Sequence, residues 1–138
     1  MLKTRMAQEV TVRMENEIGT LDGLAKAVAE RGVNIIGVCA WVEGAQAVVR
    51  FLTDDSVRVL DTLRGMKHEA RETDVLVTEV PHKPGMLHRI TATLAKGGLD
   101  VHHLYATGTH AQDRSLVVFA TANNDRALVL LNAAASGE

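Results

Sequence analysis

Only one cysteine, Cys39, occurs among the 138 residues, so no disulfide can form within the chain. The opening stretch Met1-Leu2-Lys3-Thr4-Arg5 meets charge before any apolar h-region could develop, and the two facts together set a cytoplasmic location as the expectation. A field of one sign is also lacking. Fifteen basic against seventeen acidic side chains leave a formal charge of −2, which gives nothing to draw the protein onto nucleic acid or an anionic membrane, and neither is expected as a partner. Aromatic residues make up 3% of the chain; Trp41, Phe51, Tyr105 and Phe119 are too few and too scattered to stack bases and read as core or interface packing. The uncharged runs 33–42 and 127–137 fall short of the ~18 apolar residues that span a bilayer.

Chemistry-bearing motifs are equally sparse. No phosphate loop, dinucleotide fingerprint or paired carboxylates stand out, and Gly97-Gly98 closes a helix instead of opening one. Of the serines weighed for nucleophilic chemistry, Ser56 reads as a helix cap, Ser115 as a strand start and Ser136 as a tail residue, while Cys39 reads as a buried strand cysteine. No catalytic residue and no cofactor are expected.

What is present is an ordinary globular composition, 46% hydrophobic and 23% charged, carrying an internal repeat. Residues 19–35 lie on 85–101 without gaps at an offset of 66, matching Leu21 with Leu87, Leu24 with Ile90, Val28 with Leu94 and Gly32 with Gly98. Further on the offset becomes 68, matching Val49 with Val117, Phe51 with Phe119 and Leu63 with Leu131. The two extra residues fall in the 106–115 region, where a hairpin loop tolerates them and a strand would not.

Each copy reads β-α-β-β-α. Val10, Val12 and Met14 alternate with polar residues, which is strand periodicity with one buried face, and Leu76, Thr78 and Val80 occupy the equivalent positions. Leu21, Leu24, Val28 and their counterparts recur at helical spacing and stop at glycine. A hairpin follows in each copy, then a second helix preceded by the cap-type pairs Asp55-Ser56 or Asn123-Asn124. The fold expected is α+β, two tandem ferredoxin-like βαββαβ copies over residues 1–73 and 74–138, sharing one compact body, with the second copy lacking its last strand. Residues 68–73 supply a weak, highly charged fourth strand to the first copy. In the second, either a neighbouring segment or a partner chain has to cover the edge. That edge, and a second strand apolar on both faces from Ile35 to Val42, make a twofold homodimer the expected assembly.

With His82-Lys83-Pro84-Gly85-Met86-Leu87, then Leu94 to Val101 with its Gly-Gly-Leu-Asp-Val close, the second copy resembles the ACT domain, a small-molecule-binding βαββαβ module attached to many enzymes of amino-acid metabolism. The first copy departs from the motif at Ile18-Gly19 but keeps Gly32-Val33-Asn34-Ile35. Two copies without a catalytic domain look like stand-alone tandem ACT proteins. The resemblance implies a non-catalytic regulatory protein that binds an amino acid between ACT-like domains, and it leaves room for a metabolic enzyme as a partner in trans. The ligand-binding residues it points to are Asn16, Gly19, Thr20, Leu21, Asn34 and Ile35 in the first copy and His82, Gly85, Met86, Leu87, Asp100 and Val101 in the second. The physical reading agrees in placing a carboxylate at the Gly19 and Gly85 turns, where helical N–H groups point outward, and an ammonium near Asn34 or Asp100. The plainer reading is that these glycines serve tight turns, that Asn34 and Asp100 cap strand entrances, and that Asn16 is a turn former.

Six histidines call for a metal test: His68, His82, His88, His102, His103 and His110. No HxH, HExxH or CxxC spacing occurs, and no metal ligand is assigned. The alternative function is nevertheless a metal-responsive binding protein using His82, His88 and His102 or His103.

Overall fold

The computed structural model describes residues 2–108 and 113–137. Ten elements follow one another: β1 (Lys3–Glu15), α1 (Thr20–Glu30), β2 (Ile35–Glu43), β3 (Gln46–Thr53), α2 (Ser56–Gly65), β4 (Glu69–Pro81), α3 (Met86–Lys96), β5 (Val101–Thr107), β6 (Arg114–Thr121) and α4 (Asn124–Ser136). The α+β repeat is therefore present as β-α-β-β-α, twice. The chain forms two compact units, one of Gln8–Thr73 and one of Met1–Ala7 with Asp74–Glu138.

In the unit Gln8–Thr73 the strands lie in the order β2-β3-β1-β4. Antiparallel pairing sets Val10 opposite Phe51, Val12 opposite Val49 and Met14 opposite Ala47, and β2 continues the same rows with Val38, Ala40 and Val42. These rows face the helices. Leu24 and Val28 of α1 and Val59 and Leu63 of α2 close the core over Val10, Val12, Met14, Val49 and Phe51. Asp55 caps α2 by accepting a hydrogen bond from the Arg58 N–H at 3.0 Å. The Ser56 hydroxyl instead donates to Glu72 at 2.7 Å, so the expected cap lies one residue earlier.

The second unit repeats the plan in the order β1-β4-β6-β5. Leu76, Val80, Val117 and Phe119 of its sheet pack against Ile90 and Leu94 of α3 and Ala127 and Leu131 of α4. The edge expected to be open is occupied. The chain's own first residues lie beside β4: Thr4 and Thr78 share a hydrogen bond at 2.9 Å, and Leu2 and Met6 belong to this unit's core. Of the two ways to cover the edge, a neighbouring segment is thus the one found, and the edge argument for a dimer falls away. β1 and β4 each run 13 residues, about twice a mean strand, and the boundaries of the units, at 7/8 and 73/74, fall within them. Val75 and Val77 of β4 are fully buried.

The repeat extends to details. Bulges fall at Ile35/Gly37 in β2 and at Val101/His103 in β5, the same place in each copy. The offset change falls between β5 and β6, in a connection of which residues 109–112, and so His110, lie outside the described residues. Cys39 is half-buried, not buried, because β2 is an edge strand of the Gln8–Thr73 unit. Ser136 closes α4 and donates to the Asn132 carbonyl at 3.0 Å, so it belongs to a helix and not to a tail. No described helix is long and apolar enough to cross a membrane.

Candidate functional site

Where β1 ends, the Asn16 N–H donates to the Ala45 carbonyl at 2.9 Å and ties the outgoing chain to the β2–β3 turn. Gly19 then turns the chain into α1 with φ 91°, a left-handed conformation that costs any residue with a Cβ. Gly85 repeats it at φ 90° ahead of α3. Having no side chain, neither glycine can cap its helix; the Thr20 N–H donates to the Glu17 carbonyl at 3.2 Å, and the N-terminus of α1 carries the positive end of the helix dipole.

Helix α1 begins beside the hairpin end of β2 and β3 and leaves a gap against it. The helix-side row Ala40, Val42, Ala47 and Val49, exposed at Ala40 and Val42 and buried at Val49, becomes one wall of a cavity of about 310 Å³. Asn16, Glu17, Gly19, Thr20, Leu21 and Asp22 form the opposite wall, and Trp41 completes the lining. All of these residues belong to the unit Gln8–Thr73. One wall is apolar, while the other combines a helix N-terminus with two carboxylates. Such a site can hold the carboxylate of a small zwitterion near the helix, its ammonium near Glu17 or Asp22, and its remaining atoms against the hairpin.

Four of the expected residues, Asn16, Gly19, Thr20 and Leu21, are brought together here. Asn34 and Ile35 do not line this cavity. The Asn34 N–H donates to the Asp54 carboxylate at 3.0 Å and its carbonyl accepts from the Asp54 N–H at 3.1 Å, leaving its side chain exposed, while Ile35 packs on the core. In the second unit Asp100 is exposed, its carboxylate 3.9 Å from His102 Nε2, and Val101 packs on the core. Met86, counterpart of Thr20, is only 5% exposed and belongs to that core, and Leu87 is exposed. His82, counterpart of Asn16, leans over Gly108, counterpart of Val42: a Cβ placed on Gly108 would sit 2.7 Å from the imidazole. The two turns share a backbone and differ in what surrounds them.

Sequence reasoning missed the hairpin half of the lining. It also missed a polar chain on the other face of the same strands. Glu9, 0% exposed, accepts from Arg50 at 3.0 Å, and Arg50 also donates to Thr11 at 3.2 Å and stands 5.4 Å over the Trp41 ring. Trp41 Nε1 in turn donates to Glu43 at 2.9 Å, and Arg13 donates to the same carboxylate at 3.2 Å. The Trp41 hydrogen bond, followed by that of Arg13, holds the Glu43 carboxyl below the ordinary glutamate range. Alternation in the sequence assigns these residues to one face, but which of them meet depends on a register that only pairing reveals.

The histidines are spread out. His103 stacks with Tyr105, ring centroids 6.4 Å apart, His102 lies beside Asp100, and His82 lies beside Gly108. Among the described residues no group of three or more His, Cys, Asp or Glu is arranged to hold a metal ion.

No model of a known protein family matches the chain, and no curated protein matches it in sequence. Solved structures do resemble it. Protein BT0572 from Bacteroides thetaiotaomicron matches with a TM-score of 0.86 at 20% identity, over 94% of this chain and 88% of that one. The ligand-free regulatory subunit of aspartate kinase from Thermus thermophilus matches with a TM-score of 0.70 at 15% identity, over 98% of this chain and 95% of that one. The corresponding subunit from Thermus flavus matches at 0.65 and 18%, over 99% and 94%. At such identities the likeness establishes the fold.

Proposed function

We propose that this chain, whose fold is the tandem ACT-type arrangement seen in those regulatory subunits, is a non-catalytic regulatory protein that binds an amino acid at the α1 end of its Gln8–Thr73 unit. The observation that carries the reading is the cavity of about 310 Å³ that sets an uncapped helix N-terminus and two carboxylates against an apolar hairpin. Asn34 and Asp100 do not line this cavity, and the acceptors it offers the ammonium group are Glu17 and Asp22. In the second unit Met86 and His82 take up room that Thr20 and Asn16 leave, which favours occupancy of the first site. Regulation then acts in trans, on an enzyme of amino-acid metabolism.

Self-association enters this reading through β2. Ile36 and Val38 are exposed on that edge strand, an apolar stretch that a twofold homodimer would cover. Sedimentation of the parent chain at micromolar concentration as a monomer would remove that part of the reading.

A thermal-shift screen over amino acids, nucleotides and divalent metals tests the ligand. Ligand at 100 times its Kd adds about 2.7 kcal/mol of stability, and the amide resonances of Thr20, Leu21 and Val42 should move with it. A clear response to nucleotides or metal, with none to any amino acid, refutes the proposal.

A further inference from the structure

Resting on the reading of this cavity as an amino-acid site, we infer that the side chain it selects is uncharged and apolar, of leucine or methionine size. The charge of the lining carries the inference. Among the described residues that line the cavity there is no lysine, arginine or histidine, while Glu17 and Asp22 both do. The ligand's α-ammonium answers those carboxylates and its α-carboxylate answers the helix N-terminus, so the backbone-like end of an amino acid uses the charged features once each. A second carboxylate or a phosphate would meet no cation there.

Shape and exposed surface point the same way. The wall left for a side chain is Ala40, Val42, Ala47 and Val49, with Leu21 facing it across the cavity. Val42 is 55% and Leu21 48% exposed, so apolar surface stands open to water at the place where a ligand would cover it. The volume of about 310 Å³ equals the share of roughly ten water molecules, which suits a ligand of about that many heavy atoms. A second cleft, of about 430 Å³, adjoins this one through the shared residues Glu17 and Thr20 and is the route a charged side chain would take. Its lysine and arginine, Lys67 and Arg13, stand among Glu15, Glu17 and Glu69, and Arg13 already donates to Glu43 at 3.2 Å, so it offers no surplus of positive charge to a second carboxylate.

Calorimetric titration of the full chain with alanine, 2-aminobutyrate, norvaline and norleucine tests this, beside glutamate and lysine. Each buried methylene is worth ~0.8 kcal/mol, or about a fourfold gain in affinity, so Kd should fall about fourfold per step until the cavity is full. Glutamate and lysine should bind at least tenfold more weakly than norleucine. Val42→Lys, at a position exposed enough to accept the change, should raise glutamate affinity and lower that of norleucine. A flat series, or glutamate or lysine as the tightest ligand, overturns the inference and leaves the amino-acid site standing. Binding of no α-amino acid at all overturns both.

Discussion

Replacing Leu2 and Met6 together by alanine should loosen the unit that contains Asp74–Glu138 and leave the other largely as it was. The reasoning starts from burial: Leu2 is 3% exposed and Met6 is partly buried against the same core, which holds Leu76, Val80 and Phe119. Truncating a well-buried leucine costs ~2–5 kcal/mol, and a residue near a chain end can relax, so the low end applies. Met6 adds about 1 kcal/mol, for a total of about 3 kcal/mol. With a urea m-value near 2 kcal/mol/M, the midpoint followed by circular dichroism should drop by about 1.5 M. Hydrogen exchange read peptide by peptide gives the location, because strand 3–7 flanks β4 and its loss should speed exchange over residues 74–81. Val57→Ala, at a largely exposed helix position, is the control and should stay within about 0.5 kcal/mol of the parent. A double variant within that same margin, with 74–81 protected as in the parent, would refute the claim that the chain's first residues complete the second sheet.

Three further outcomes are expected. Glu43 has a folded-state pKa below its unfolded one, so its contribution to stability is present above the unfolded value and is lost as pH falls through the folded value; Glu43→Gln should flatten the acid limb of a stability-against-pH curve, and an unchanged limb would count against the Trp41 and Arg13 hydrogen bonds. Gly108→Ala should cost under about 1 kcal/mol by thermal melting, because its Cβ would meet the tip of the exposed His82 ring at 2.7 Å and that ring can turn aside, and the cost should vanish in the His82→Ala background; a larger cost, equal in both backgrounds, would show that the imidazole lies elsewhere. Arg50→Met should destabilise by about 3 kcal/mol in urea titration, since it withdraws the guanidinium 3.0 Å from a fully buried Glu9; a loss under about 1 kcal/mol would mean that the pair is solvated.

Local order in this protein follows from local chemistry, and the sequence alone carries it. Alternation at Val10, Val12 and Met14, helical spacing at Leu24 and Val28, left-handed glycines at residues 19 and 85 and cap residues at 55 and 123 each act over a few positions, and all repeat in the second copy. The turn half of the cavity, Asn16 to Leu21, was legible for the same reason: a glycine before a helix exposes N–H groups whatever the tertiary setting.

What only the tertiary structure decided are the partnerships between distant segments. Even-numbered Leu2, Thr4 and Met6 continue the alternation of β1, yet nothing local tells that this half of the strand finishes a sheet built mostly from residues beyond 73. Strand pairing is a choice among edges, settled by which one leaves the fewest unpaired backbone groups and bare apolar side chains. The hairpin wall of the cavity depends likewise on where α1 starts along the sheet, which packing sets and periodicity does not. The same glycine turn adjoins a cavity in one copy and a histidine leaning over glycine in the other, because Val42 and Asn16 in the first copy correspond to Gly108 and His82 in the second, and only the folded chain brings those pairs within reach.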